Sequence, residues 1–171
     1  MYNPQDLKDI KLLLVGPFED ELDPLSEKTK LLISSHDKII SAGYQNDVRP
    51  FFAISNSLVF PSYREGFPNV VMQSGAMGLP SIVTDINGCN EIIQTDYNGI
   101  VVPSKDVVSL KRAMTRILQD NELYFKCSAE SRLAIVNNYE QKFYWKALLN
   151  EYKSYKNIRK SSELEQNMAN K

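Results

Sequence analysis

Five short apolar runs alternate with amphipathic segments along most of the chain. Each run is rich in Ile, Leu and Val and ends at Gly, Pro, Ser or Asp, which is typical of strands buried on both faces of a parallel sheet. Strands that alternate with helices predict βαβ units and a doubly wound open sheet. The predicted strands cover residues 11–16, 38–43, 57–62, 80–85 and 99–103, and the predicted helices cover 21–35, 47–55, 69–78 and 89–94.

Three further helices are predicted after Pro103. The first is capped by Ser104 or Asp106 and runs to about residue 119, and the second covers 121–137. The third covers 140–156, and its large apolar residues spread over more than the one stripe that a helix buries, so part of them should form an exposed patch. These residues are Phe143, Tyr144, Trp145, Leu148, Leu149 and Tyr152. We expect one domain over residues 1–157 and a frayed polar tail over 158–171.

Composition excludes several classes of protein. A formal net charge of −1 in 171 residues offers no basic field for nucleic acid. Cys89 and Cys127 lie far apart without a CxxC pattern, and His36, the only histidine, lies in a polar turn, so neither nucleophilic nor zinc chemistry is indicated. Without a signal peptide or an apolar stretch of ~20 residues, the sequence predicts a cytoplasmic protein with at most peripheral membrane association.

The strongest candidate for chemistry is the segment 61–80. Ligands of open parallel sheets bind beyond the carboxyl ends of the strands, and here a predicted strand leads through a short loop into a helix that starts near Asn69. Free backbone N–H groups and the helix dipole at such a start suit a diphosphate. Gly66 allows close backbone approach to a ligand, and Pro68 fits a first helical turn.

Two acceptor side chains accompany this junction. Glu65 precedes Gln73 by eight residues, which places Gln73 about one turn into the helix, on a face that can turn back toward a ligand. Oxygen acceptors beside a diphosphate suit the vicinal hydroxyls of a sugar. The spacing alone leaves open a purely structural role, since loop-to-helix junctions with a capping acid are common.

The run from Phe60 to Asp106 resembles the donor-binding signature of the family 4, or group 1, glycosyltransferases. The resemblance extends over roughly residues 10–150 and implies the C-terminal half of a GT-B fold: an α/β, Rossmann-like, doubly wound parallel sheet with C-terminal helices. The shared motifs are Pro61-Ser62, Glu65-Gly66-Phe67-Pro68, Gly78-Leu79-Pro80, Asp85, Gly88, Glu91, Asn98-Gly99 and Pro103.

The resemblance implies retaining transfer from a nucleotide-sugar, a UDP-sugar, to a glycan or lipid-linked acceptor in bacterial surface-polysaccharide synthesis. It implies no cofactor and no metal. Glu65 becomes the catalytic residue that faces the donor sugar, and residue 73 holds the ribose diol. Tyr44 either approaches the base or packs, Arg64 either meets the phosphates or is a surface charge, and Glu91 either caps a helix or contacts the ligand. The implied donor site comprises Tyr44, Arg64, Glu65, Gly66, Phe67, Pro68, Asn69, Gln73 and Glu91.

Two departures from the family pattern matter. Gln73 stands where the family usually has a second Glu, and exchanging a charged acceptor for a neutral one costs about 1 kcal/mol. The family also has an N-terminal acceptor domain and a first donor-domain strand followed by Arg and Lys, and no residue here matches that pair. The loss of two cations should cost several kcal/mol of transition-state stabilisation, so we expect the chain alone not to be a competent transferase.

Three hypotheses follow. The first is the donor half of a retaining glycosyltransferase. The second is a non-catalytic UDP-sugar-binding module that needs a separate acceptor-domain subunit, with self-association or partner binding through 140–156. The third, a nicotinamide or flavin enzyme, requires a Gly-x-Gly-x-x-Gly turn after the first strand, and VGPFEDEL contains none. The first two hypotheses place the protein in the cytoplasm or at the inner face of the membrane.

Overall fold

The computed structural model describes residues 10–18 and 20–169, with side chains as far as residue 156. Each predicted strand is present and is shorter than its apolar run. The strands are β1 (Leu12–Leu14), β2 (Ile39–Ser41), β3 (Leu58–Phe60), β4 (Ser81–Thr84) and β5 (Gly99–Val102). The helices are α1 (Glu27–Ser35), α2 (Arg49–Ala53), α3 (Asn69–Ala76), α4 (Cys89–Ile92), α5 (Val107–Gln119), α6 (Asn121–Tyr139) and α7 (Gln141–Ala169).

All strand pairs are parallel, which confirms the predicted α/β fold. The strands form two sheets, one of order β1-β2 and one of order β3-β4-β5. In the second sheet Ile82 lies opposite both Val59 and Ile100.

The β3-β4-β5 sheet is covered on both faces. All four residues of β4 are buried, and alternate side chains enter different clusters. Ile82 packs with Ala113 and Ile117 of α5, whereas Val83 packs with Val71 of α3. Because helices cover both faces of this sheet, β4 confirms the prediction of a strand with two buried faces.

The prediction of strands buried on both faces is wrong for β1 and β2. Leu12 is 40% exposed and Ile40 is 45% exposed, although both lie in apolar runs like that of β4. In the described chain α1 is the helix packed on β2, and α1 itself has no buried residue. A strand is buried only where other elements cover it, and few elements cover this sheet.

Helix starts follow the capping residues. The first helix begins at Glu27 and not at 21, because the hydroxyl of Ser26 accepts a hydrogen bond from the Thr29 amide at 3.2 Å. Of the two caps considered for α5, the structure selects Asp106. Its carboxylate accepts from the Ser109 amide at 3.0 Å, and hydrogen bonds from Ser109 lower the pKa of Asp106.

The last helix continues to Ala169, through the segment expected to be a frayed tail. Residues 141–169 contain neither Pro nor Gly, so no residue in them breaks the helix. The predicted apolar patch is exposed: Tyr144 and Tyr152, for example, are 67% and 65% exposed. In residues 10–18 and 20–169, no helix is both long enough and apolar enough to cross a bilayer.

Candidate functional site

The candidate site lies at the carboxyl ends of β3 and β4. The loop after β3 carries Glu65, and Ser62 donates its hydroxyl hydrogen to one carboxylate oxygen of Glu65 at 2.8 Å. The Thr84 hydroxyl, at the end of β4, donates to the Ser62 carbonyl. The neighbouring strand therefore anchors the loop, and the loop holds the half-buried Glu65 carboxylate in one orientation.

The loops after β3 and β4 are in backbone contact. Gly88 has φ 78° and ψ −45°, a region that residues with a Cβ rarely adopt. A Cβ at Gly88 would overlap the carbonyl oxygen of Gly66 and lie 2.9 Å from Cδ of Pro68. Only glycine fits this contact, so the Gly88 of the sequence motif allows one loop to lie directly on the other.

Helix α3 begins at Asn69, as predicted, although Pro68 precedes the first helical turn and does not lie in it. Pro68 is the N-cap residue and provides no side-chain hydrogen bond, and the first helical bond joins the Val71 amide to the Pro68 carbonyl at 3.2 Å. The amides of Asn69 and Val70 precede any intrahelical acceptor and remain available to an outside one. Gln73 follows Asn69 by four residues, and both are exposed on one face of the helix.

Glu91 caps the short helix α4, one of the two roles considered for it. Its carboxylate accepts from the Gly88 amide at 3.2 Å, and its backbone carbonyl accepts from the Tyr139 hydroxyl at 2.8 Å. The Tyr139 ring also packs on Phe67, with centroids 5.4 Å apart. Sequence reasoning missed Tyr139, because no motif connects the end of α6 to these loops.

Two basic side chains lie in or beside the loops. Arg64 is exposed and has no ion-pair partner among residues 10–18 and 20–156. Lys105, in the loop after β5, places its Nζ 5.4 Å from the centroid of the Tyr63 ring. Sequence reasoning considered cations after a first strand and at Arg64, and it overlooked Lys105, which the fold brings beside the Glu65 loop.

Cys89 contributes no reactive thiol to the site. It is fully buried directly after Gly88, and burial, followed by the nearby charge of Glu65, raises the pKa of the Cys89 thiol to about 11. The thiol is neutral at physiological pH and is not a nucleophile. No group of three or more His, Cys, Asp or Glu side chains in the described residues is arranged to hold a metal ion.

Tyr44 lies apart from the other candidates in the sheet topology. It follows β2 directly after Gly43 and is 70% exposed. Because β2 belongs to the β1-β2 sheet, no strand pairing in the described residues connects it to the sheet that carries Glu65. The role of Tyr44 at a nucleotide base stays a prediction, as do the ligand contacts of the other site residues.

The fold is that of a doubly wound α/β protein, and the loop-to-helix site lies at the carboxyl edge of the sheet, where proteins of this class commonly bind ligands. Residues 3–120 match the family described as glycosyl transferases group 1, and the chain belongs to that family. The family resemblance based on the 60–106 run is thereby confirmed.

Known relatives agree with this assignment. The chain is 24% identical over 147 residues to the capsular polysaccharide biosynthesis glycosyltransferase CapM of Staphylococcus aureus, a match that covers 86% of this chain and 38% of CapM. It is 30% identical over 102 residues to the UDP-Gal:alpha-D-GlcNAc-diphosphoundecaprenol alpha-1,3-galactosyltransferase of Escherichia coli, covering 60% of this chain and 26% of that protein. The chain thus spans well under half the length of these relatives.

Solved structures confirm the fold. The crystal structure of Anabaena HepE in complex with UDP superposes on this chain with a TM-score of 0.78 at 15% identity. The match covers 88% of this chain and 43% of HepE. At this identity the likeness establishes the shared fold and carries no residue role.

Proposed function

We propose that the chain binds the diphosphate and sugar of a nucleotide-sugar donor at the junction of the Glu65 loop and α3. The supporting observation is that hydrogen-bond donors and a carboxylate acceptor lie at the same junction. Open amides at Asn69 and Val70 suit phosphate oxygens, and the Glu65 carboxylate, oriented by Ser62, suits sugar hydroxyls. Gln73, exposed one turn further along α3, accepts from the ribose diol.

The proposed donor is a UDP-sugar. HepE was solved with UDP, and the E. coli relative is named for UDP-Gal and a diphosphoundecaprenol acceptor. By analogy, the whole protein carries out retaining transfer of a sugar to a glycan or lipid-linked acceptor in surface-polysaccharide synthesis, without a metal. CapM, which is named for capsular polysaccharide, supports this context.

Lys105 and Arg64 supply the positive charge of the proposed phosphate site. Lys105 lies over Tyr63, two residues before Glu65, and Arg64 is exposed without an ion-pair partner in the described part of the chain. Long exposed cations neutralise phosphate less effectively than enclosed ones, because water screens them. We therefore expect weak binding of UDP by this chain alone.

A binding module that acts with a second polypeptide is the other candidate function. The exposed aromatic face of α7 favours it, since patches of this kind in folded proteins usually mark interfaces. The proposed occupant of residues 140–156 is an acceptor-domain subunit or a second copy of this chain.

Ligand-observed NMR with millimolar UDP tests the proposed function. A Glu65→Ala, Gln73→Ala double variant should lose most of the binding. The matched control is Gln119→Ala, Glu122→Ala, which removes the same side-chain types from exposed positions at the end of α5 and the start of α6. Equal UDP binding by both double variants would place the site elsewhere.

A further inference from the structure

We infer that Tyr139 is a positioning residue of the donor site, which holds the Glu65 loop and the Gly88–Glu91 turn at one spacing. The inference rests on the proposed function. Tyr139 is the last residue of α6 and is half-buried, and it contacts both loops at once. Its ring packs on Phe67 of the first loop, and its hydroxyl donates to the carbonyl of Glu91 in the second.

These contacts form a closed ring of interactions. Phe67 meets the Tyr139 ring at 5.4 Å, and the Tyr139 hydroxyl meets the Glu91 carbonyl at 2.8 Å. The Glu91 carboxylate accepts from the Gly88 amide at 3.2 Å, and Gly88 lies directly on the Gly66 carbonyl beside Phe67. The ring of interactions therefore begins and ends in the Glu65 loop, and Tyr139 is the residue in it that comes from outside the two loops.

The helix that carries Tyr139 is a firm support. Helix α6 packs closely on α3, where a Cβ at Gly75 would lie 2.8 Å from Cγ1 of Ile135. The Ser128 hydroxyl also donates to the Gly78 carbonyl at 2.7 Å. The start of α3 forms part of the proposed phosphate site, and α6 is packed against α3. Tyr139 therefore positions both loops relative to the amides of Asn69 and Val70.

Conservative variants separate positioning from stability. Tyr139→Phe keeps the ring on Phe67 and loses the hydrogen bond to Glu91, and Tyr139→Leu loses both. The matched control is Tyr97→Phe, which also removes a bonded hydroxyl, since the Tyr97 hydroxyl binds Glu130. We expect UDP affinity to fall about threefold in Tyr139→Phe and about tenfold in Tyr139→Leu. Tyr97→Phe should leave it unchanged.

The readouts are the Kd for UDP from NMR titration and the amide shifts of Gly66 and Gly88. Urea unfolding shows that each variant is folded. Shifts of both amides and weaker UDP binding in Tyr139→Phe, without either change in Tyr97→Phe, support the inference. A wild type that binds UDP and a Tyr139→Phe variant that binds it equally overturn the inference alone. A wild type that does not bind UDP overturns the proposed function and the inference with it.

Discussion

Replacing Gly88 with alanine tests the contact between the two loops of the candidate site. The new methyl group would overlap the Gly66 carbonyl oxygen and lie 2.9 Å from Cδ of Pro68. Gly78→Ala is the matched control, because Gly78 has φ +80°, close to the +78° of Gly88, and a Cβ there meets only the Ser128 carbonyl at an ordinary 3.8 Å. The two variants share a positive φ and differ in the steric overlap.

The structure allows the two costs to be separated. Forcing alanine to a positive φ costs roughly 1–2 kcal/mol in either variant. Overlap with packed atoms adds roughly 1–3 kcal/mol in Gly88→Ala. At Gly88 the nearest obstacle is a backbone carbonyl, which cannot swing aside as the end of a side chain can. We therefore expect Gly88→Ala to lower the free energy of unfolding by about 2 kcal/mol more than Gly78→Ala.

Urea denaturation measures this difference through the transition midpoint at constant m-value. Thermal unfolding provides a second measure, in which Gly88→Ala should melt about 4–8 °C below Gly78→Ala. UDP binding should weaken in Gly88→Ala, since the Gly66 backbone must move, and stay unchanged in Gly78→Ala. Equal stability of the two variants would show that the loops do not touch at Gly88 and would refute the packing described above.

Three further predictions concern the ligand and the aromatic helix. Gln73→Glu should strengthen UDP binding by about 1 kcal/mol, since it provides a charged acceptor, and an equal gain with 2′,3′-dideoxy-UDP in calorimetry would contradict contact with the ribose. Lys105→Gln should weaken UDP binding severalfold in low salt but leave uridine binding unchanged. The control variant is Lys111→Gln, which removes an exposed cation of α5. Equal losses of UDP and uridine binding in Lys105→Gln would exclude a phosphate contact. Sedimentation of the wild type at ~100 μM should show self-association, since an association free energy of about −5.5 kcal/mol is visible at this concentration. The Trp145→Ser, Leu149→Ser double variant should abolish it. A wild type that is monomeric and captures no co-expressed partner would contradict an interface on α7.

Local chemistry explains what could be predicted from the sequence. The alternation of apolar runs with amphipathic segments predicted each strand and helix, because burial periodicity is a property of neighbouring residues. For the same reason the sequence could restrict the α5 cap to Ser104 or Asp106, of which the structure selects Asp106, and could predict the loop-to-helix junction at Asn69. The motif run between residues 60 and 106 identified the family, since its glycines, prolines and acids stand at characteristic spacings. The spread of aromatic residues around α7 predicted exposed apolar surface, and the structure confirms that exposure.

Only the tertiary structure decided which of these elements meet. The apolar runs of β1 and β4 look alike, yet β4 is buried and β1 is not, because burial depends on the neighbours that cover a strand. Tyr139 and Glu91 are 48 positions apart in the sequence, and Lys105 reaches Tyr63 from a different strand end. Contacts of this kind depend on how α6 and the strand ends are placed in space. Periodicity describes one element at a time, so it leaves that placement undetermined.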